Sequence, residues 1–196
     1  MKQSPTQLKK IVRAVEESGA YQKALRWFYD YPDKEISLSE LCTNIGVSKT
    51  AGNKAVTKLE KEGFLIKKIF GRVWAIKADR THPYFRIGKL PIHLDGILRS
   101  GIVEEVLNRI PQARAIILFG SYRTGEDGST SDIDIAVEVI GNQDPHTIEL
   151  GVISEFGYRK QVKVNLLVFS RNRIDISLFN NIANGIVLQG FLEVRP

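Results

Sequence analysis

Two aspartates in the middle of the sequence have a spacing suited to binding a metal ion. Asp132 and Asp134 are separated by one apolar residue and begin an apolar, largely β-branched run that reaches Val137. This pattern predicts a strand, on which both carboxylates point to the same face, roughly 7 Å apart. A fold tolerates two like charges at low cost when a cation lies between them. Carboxylate oxygens suit Mg²⁺ or Mn²⁺, which also take phosphate oxygens, so we expect a nucleotide to complete the site.

A glycine and a serine end the apolar run that precedes this pair. The run closes at Phe119, and Gly120 and Ser121 follow it before a polar loop. Glycine lets a phosphate approach the backbone, and serine offers an N–H and a hydroxyl to it. Arg123 could hold a further phosphate, although a solvated arginine is an equal alternative. The alternative for the aspartates is that they are ordinary solvated residues of an edge strand, and the upstream Gly-Ser turn favours the metal site.

These residues together resemble a family signature. Gly120-Ser121, followed eleven positions after the serine by Asp132 within Ser131-Asp132-Ile133-Asp134, is similar to the motif of the DNA polymerase beta-type nucleotidyltransferase superfamily, particularly its minimal nucleotidyltransferase branch. The resemblance covers about residues 96–196. It implies a short mixed sheet flanked by helices and transfer of a nucleoside monophosphate from a nucleoside triphosphate to a hydroxyl or other acceptor. It also implies metal binding by Asp132 and Asp134, and nucleotide binding by Gly120, Ser121, Arg123 and Ser131.

The sequence departs from that family at one position. The family has a third carboxylate on a later strand, which helps to hold the metal and to activate the attacking hydroxyl, and Asn165 occupies that position in the predicted strand 162–169. An amide oxygen ligates a metal weakly and cannot act as a base. Loss of general-base help costs about 10²- to 10⁴-fold in rate. Nucleotide binding could therefore survive while turnover becomes slow or vanishes. Lys163, on the same strand face, could supply positive charge there.

The first part of the chain shows a pattern of helices and a hairpin. Helices are predicted over residues 5–18 and 20–31. Ser37, with Glu40 at capping-box spacing, begins a further helix that a glycine-containing turn ends. Another helix is predicted from Ser48 to about Glu62, followed by a β-hairpin around Phe70-Gly71.

This order resembles the winged helix-turn-helix family of DNA-binding domains, over about residues 20–78. The resemblance implies that the helix from Ser48 enters the major groove and that the hairpin meets phosphates. The residues expected to contact DNA are Ser48, Lys49, Thr50, Asn53 and Lys54 on the helix and Lys67, Lys68 and Arg72 on the hairpin. The alternative is that the lysines form a solvated helix face and that this unit docks a partner or a second copy.

The charge distribution favours the DNA-binding interpretation. Residues 1–78 have 15 lysines and arginines against 8 acids, whereas the remaining residues have 13 against 14. All of the surplus positive charge therefore lies in the first part, as expected for a module that faces a nucleic acid.

The fold class predicted is α+β, with a winged helix-turn-helix domain at 1–78, a linker at 79–95 and a small mixed-sheet α/β nucleotidyltransferase domain at 96–196. The linker contains two prolines and no clear period. Within the second domain we expect a helix over 97–110, a strand over 114–119, a helix from Asp144 to about Tyr158, a helix near 175–184 and a final strand near 186–192.

The composition adds limits on location and partners. The chain has 196 residues and a single cysteine, Cys42, so neither an intramolecular disulfide nor a cysteine-based zinc site is expected. No apolar run of membrane-spanning length and no signal-type segment is present, so we expect a cytoplasmic protein without a membrane partner. A homodimer or a partner protein is a reasonable expectation, because the small domain leaves no room for an acceptor-binding domain.

Three functions remain open. The first is an Mg²⁺-dependent nucleotidyltransferase that uses its winged helix to locate a target. The second is a DNA-binding transcriptional regulator with a catalytically weak or dead nucleotide-sensing domain. The third is an interaction module that forms one half of a larger assembly. Asp132 and Asp134 favour the first function, and Asn165 favours the second.

Overall fold

A computed structural model of the chain describes residues 7–8 and 19–194. Its helices and strands are interspersed along the sequence. The helices are α1 (Ala20–Asp30), α2 (Leu38–Ile45), α3 (Lys49–Lys61), α4 (Phe85–Arg99), α5 (Ile102–Arg109), α6 (Gly120–Thr124) and α7 (Ile176–Ala183). None of the helices in these residues is long and apolar enough to cross a membrane.

The strands form two separate sheets. They are β1 (Gln7–Leu8), β2 (Glu35–Ile36), β3 (Leu65–Phe70), β4 (Val73–Ala78), β5 (Ala115–Phe119), β6 (Ile133–Glu138), β7 (His146–Phe156), β8 (Arg159–Phe169) and β9 (Ile186–Gly190). Within the described residues, the larger sheet has the order β1-β7-β8-β6-β5-β9 and the smaller one β2-β4-β3. In the larger sheet β6 is parallel to β8 and β1 to β7, and the remaining pairs are antiparallel. The mixed sheet with flanking helices confirms the predicted α+β class.

The two faces of the larger sheet have different covers. On one face, apolar side chains of β6 and β8 pack against α4 and α5 through Ile97, Ile102 and Val106. On the other face, Ala136 and Leu167 pack in a smaller cluster that includes Ile182 of α7. Because side chains alternate along a strand, Asp134 and Asn165 lie on this second face.

Residues 19–78, which we call the N-terminal unit, form most of a second apolar core, to which Phe85 of α4 also belongs. Side chains of α1, α2 and α3 pack there against those of the small sheet, including Phe28, Leu41, Leu59 and Ile76. The predicted helices and the hairpin are confirmed, as is the capping box at Ser37, whose hydroxyl accepts from the Glu40 N–H. The predicted helix at 5–18 falls outside the described residues, except that Gln7–Leu8 form β1 and pair with β7.

The second half of the segment predicted as a linker is helical, because α4 begins at Phe85 and includes Pro91. The domain bounds themselves stay a prediction. The buried face of α4 consists of Phe85, Lys89, His93, Gly96 and Ile97. This face has helical spacing, but two of its members are ionisable, so hydrophobic periodicity does not mark it. The helix predicted over 97–110 is likewise interrupted, at Gly101, which adopts a left-handed conformation with φ of 79°.

The predicted helix from Asp144 to Tyr158 is also wrong, because this segment is the strand β7. Its buried apolar residues Leu150, Ile153 and Phe156 recur at every third position, a spacing that imitates a helix. A register shift between Glu149 and Gly151 accounts for the first of these two intervals, because it breaks the strict alternation of the strand there. Pairing with β8 along the whole strand outweighs the proline signal at the start. A smaller difference is that α6, rather than a loop, follows β5.

Candidate functional site

The end of β5 and the start of β6 bring the two halves of the motif together. Phe119, the last residue of β5, pairs with Asp134 in the antiparallel register of β5 and β6. Gly120 then turns the chain into α6 with φ of 71°. A Cβ added at Gly120 would lie 2.7 Å from Oδ2 of Asp134. The backbone after β5 is therefore directly beside the carboxylate, and only glycine leaves space there.

Asn165 lies between the two aspartates. It pairs with Asp134 in the parallel register of β6 and β8. Its Nδ2 lies 3.2 Å from Oδ1 of Asp134 and 3.4 Å from Oδ2 of Asp132. The structure therefore brings together the three side chains that the sequence proposed for the metal and catalytic site. The amide N–H groups occupy the position between two negative charges that a cation would take.

The environment of Asp134 opposes its ionisation. Partial burial raises the pKa of the Asp134 carboxyl above its usual value, and the negative charge of Asp132 adds to this, although the hydrogen bond from Asn165 acts in the opposite direction. A cation bound between the carboxylates would relieve both unfavourable effects.

The donor set fits a hard divalent cation that keeps positions open for other ligands. Asp132 and Asp134 offer carboxylate oxygens, and Asn165 can offer its amide oxygen by rotating its terminal torsion by half a turn. Among the described residues, no group of three or more His, Cys, Asp or Glu side chains is arranged to hold a metal. The remaining ligands would have to come from water and phosphate oxygens, which is the coordination that Mg²⁺ prefers.

The loop before Asp132 is held at Ser131 by hydrogen bonds of both its side chain and its backbone. The Ser131 hydroxyl accepts from the Gly128 N–H at 2.9 Å, and its carbonyl accepts from Nη2 of Arg159 at 2.7 Å. Nη1 of Arg159 donates to the hydroxyl of Tyr122 in α6. The buried Arg159 thus joins α6 to the residue before Asp132. Sequence reasoning missed Arg159, because an arginine at the start of a strand gives no local signal of burial.

The other residues predicted to bind nucleotide lie near the aspartates. Ser121 and Arg123 are in α6, both partly exposed. The Ser121 carbonyl accepts from Thr124 and from the Glu126 N–H, which shapes the turn after α6. Lys163 is exposed on the strand face of Asn165. Glu138, the other carboxylate of that face of β6, is buried and paired with Arg171 at 2.8 Å.

The residues predicted to bind DNA have different surroundings in the N-terminal unit. Lys49, Thr50, Asn53 and Lys54 are exposed on α3, opposite its buried face. Ser48 caps the helix, with its hydroxyl accepting from the Ala51 N–H. These positions form one continuous polar surface at the start of α3.

On the hairpin, Lys68 and Arg72 are exposed. Lys67 is instead engaged within the unit, with Nζ at 2.5 Å from Glu60 and over the ring of Trp74. Of the hairpin residues predicted to meet phosphates, Lys67 is therefore the one whose charge already has a partner.

Part of the chain matches a known protein family. Residues 102–190 match the model of the family described as "Polymerase beta, Nucleotidyltransferase". A search of curated proteins finds no match. The matched segment runs from α5 to β9 and includes Gly120, Ser121, Asp132, Asp134 and Asn165. It supports the assignment of this segment, made above from the Gly-Ser and Asp-x-Asp motifs, to the nucleotidyltransferase superfamily.

Proposed function

We propose that the chain is an Mg²⁺-dependent nucleotidyltransferase, which moves a nucleoside monophosphate from a nucleoside triphosphate to an acceptor, and that its N-terminal unit is a winged helix that binds duplex DNA. The observation that supports the first part best is the meeting of Asp132 and Asp134 at Asn165, with Gly120 against Asp134. The family match of this segment supports nucleotidyl transfer in general.

Each residue of the site would have a different role in the reaction. Gly120 and Ser121 would bind the triphosphate through backbone N–H groups and the serine hydroxyl, with Arg123 and Ser131 beside them. Asp132, Asp134 and Asn165 would hold the cation. When bound, Mg²⁺ would neutralise phosphate charge and orient the triphosphate. An acceptor oxygen forms a bond to the α-phosphorus, and the bond to the β-phosphate oxygen breaks to release pyrophosphate.

Asn165 limits the rate of this reaction. The acceptor hydroxyl must lose its proton, and an amide cannot take it. The proton therefore passes to water, and the chain forgoes the roughly 10²- to 10⁴-fold that a positioned base contributes. We expect slow turnover with intact nucleotide binding.

The test is transfer of label from α-labelled ribonucleoside triphosphates to cell extract with Mg²⁺ or Mn²⁺. Wild type should label an acceptor, whose size identifies its class, and the Asp132→Ala/Asp134→Ala variant should not. A matched control is Asp144→Ala, which removes an exposed carboxylate away from the site. Equal labelling by wild type and by the double variant would contradict the proposal.

The second candidate function is a DNA-binding regulator whose C-terminal part senses nucleotide without turnover. The observation that favours it is the hydrogen bonding of Asn165, whose N–H groups occupy the position between the carboxylates. Nucleotide binding by wild type, without any label transfer, would support this function over the first.

A further inference from the structure

The C-terminal end of α1 contacts the loop that precedes Asp132. We call residues 30–33 the α1 end and residues 125–131 the motif loop. Asp33 binds the motif loop at Ser129, whose N–H and hydroxyl donate to the two Asp33 oxygens at 3.2 and 2.8 Å. These are direct bonds between the N-terminal unit and the polar segment that leads to the proposed metal site.

A second connection between the same two segments is buried. Nε2 of His93 in α4 lies 3.0 Å from Oδ1 of Asp30, and its Nδ1 lies 3.1 Å from Oδ2 of Asp127 in the motif loop. Nζ of Lys89 lies 3.0 Å from the same Asp127 oxygen. All four side chains are at most 1% exposed. The α1 end and the motif loop are therefore joined by a continuous chain of buried ionisable side chains.

A third connection passes through the turn between β7 and β8. Oδ2 of Asp30 accepts from the Tyr158 N–H at 2.7 Å, and the Tyr31 hydroxyl donates to the Tyr158 carbonyl at 2.8 Å. The next residue is Arg159, which holds the Ser131 carbonyl immediately before Asp132. The α1 end thus fixes the backbone from which Arg159 reaches the motif loop.

We propose that the α1 end is a positioning element of the nucleotide site: Asp30 and Asp33 hold the motif loop, and with it Asp132, in place relative to Gly120 and Ser121. This inference rests on the proposed function, because it assigns to that site a dependence on the N-terminal unit.

The composition of the motif loop explains why it needs such support. Its sequence, Gly-Glu-Asp-Gly-Ser-Thr-Ser, has no apolar side chain that could anchor it in a core. Glycine and serine also leave the backbone many conformations. The hydrogen bonds from Ser129 to Asp33, from Lys89 to the Asp127 carbonyl and from Arg159 to the Ser131 carbonyl replace the missing apolar contacts. The buried side chains of His93, Lys89 and Asp127 stay close to one another only while α1, α4 and the loop keep their positions.

A consequence is that a movement of the N-terminal unit would change the position of residues at the proposed metal site. α1 and α3 share one apolar core, in which Ala24 and Phe28 pack together with Val56 and Leu59. A ligand that moves α3 would displace the α1 end, and so the motif loop. Nucleotide affinity would then change without any contact between the ligand and the nucleotide.

The test is equilibrium binding of the Mg²⁺ complexes of the four ribonucleoside triphosphates to the full chain. Asp33→Ala removes two hydrogen bonds at an exposed position, so the fold is retained and the melting temperature falls only slightly. We expect nucleotide affinity roughly three- to tenfold weaker than in wild type. Asp33→Asn keeps an oxygen that accepts from Ser129 and should restore most of the affinity. Asp95→Ala, which breaks an exposed pair with Arg99 on α4, is the matched control and should bind as wild type.

The outcomes separate this inference from the function on which it rests. If wild type binds nucleotide and Asp33→Ala binds it equally well, the positioning role is wrong and the proposed function stands. If wild type binds none of the four nucleotides, the proposed function fails and the inference with it. His93→Gln gives an independent check, since weaker nucleotide binding at temperatures where the variant is fully folded supports the buried connection, and unchanged binding contradicts it.

Discussion

Gly120 and Asp134 are in such close approach that no side chain fits between them. A Cβ on Gly120 would lie 2.7 Å from the Asp134 carboxylate oxygen, and the φ of Gly120 is 71°. Two independent conditions, one steric and one conformational, therefore require glycine at this position. The backbone of the turn after β5 therefore lies directly against a carboxylate that we propose to hold the metal.

Gly120→Ala should abolish or strongly weaken nucleotide binding, by roughly tenfold or more, because the added methyl group displaces Asp134. The matched control is Gly71→Ala, which has a φ of 61° but no atom within 4 Å of the added Cβ. Both variants incur the cost of a left-handed alanine, about 1–2 kcal/mol, but only one disturbs the site. Thermal unfolding with and without Mn²⁺ and nucleotide measures both effects. Equal ligand-dependent stabilisation of the two variants would contradict the proximity argument.

Asp134→Asn should have opposite effects with and without metal. The pKa of Asp134 is raised on folding, by burial and by the charge of Asp132, so its ionised form opposes folding at pH values above that pKa. Without metal, the melting temperature of the variant at pH 7 should therefore be higher than that of wild type. With Mn²⁺ at about 100 times its Kd, the free energy of unfolding of wild type should rise by about 2.7 kcal/mol, and that of the variant should rise much less. A variant that gains as much as wild type from Mn²⁺ would place the metal elsewhere.

Asn165→Asp should convert a slow or inactive site into a faster one. The new carboxylate would lie within reach of both aspartates, where it adds charge to the metal site and can take the acceptor proton. We expect label transfer to rise about 10²- to 10⁴-fold and metal affinity to increase. Asn108→Asp, an exposed change on α5, is the control. Unchanged transfer by Asn165→Asp would show that something other than the missing carboxylate limits the reaction.

Ionised Asp30 should stabilise the folded state, and this stabilisation should be lost at acidic pH. Burial alone would raise the pKa of Asp30, but the hydrogen bond from His93, the charges of Arg26 and His93 and the Tyr158 N–H hold it below its usual value. The resulting stability is present above the unfolded pKa of about 3.9 and is lost as pH falls through the lower folded value.

Asp30→Asn should therefore be less stable than wild type at pH 7, by about 3 kcal/mol, and the difference should shrink below pH 4. Denaturant unfolding at several pH values measures it. Asp95→Asn, which lies in an exposed pair, should show a small difference at every pH. A gap between Asp30→Asn and wild type that stays constant down to pH 2 would contradict the assignment.

The candidate site was largely predictable from the sequence because its geometry is local. Alternation along a strand places Asp132 and Asp134 on one face, and the apolar pattern of 162–169 places Asn165 beside them once β6 and β8 pair. Local signals also predicted the capped helices of the N-terminal unit, where Ser37 and Ser48 each accept a backbone hydrogen bond.

What the sequence could not predict depends on long-range contacts. Asp30 and His93 are 63 positions apart, so the sequence around either residue does not indicate that the other is its buried partner. If that pairing is not known, the ionisable residues on the buried face of α4 look solvent-exposed. The segment is then interpreted as a linker instead of a helix. The strand β7 was missed for a different reason: its buried apolar residues do not alternate, and the bulge at Leu150 contributes to this.

Two adjacent lysines of the proposed DNA surface should contribute differently to DNA binding. Lys68 is exposed, whereas Lys67 is paired with Glu60 and lies over Trp74. A phosphate contact releases counterions, so Lys68→Ala should weaken duplex binding and reduce the slope of log K against log salt by about 0.9, as should Lys54→Ala. Lys67→Ala should leave the slope nearly unchanged, because Lys67 would first have to leave its carboxylate. Titration of a random-sequence duplex at several salt concentrations measures these slopes. Equal slopes for wild type and the Lys68 and Lys54 variants would exclude this face as the DNA surface and would favour the alternative, in which the N-terminal unit docks a partner or a second copy.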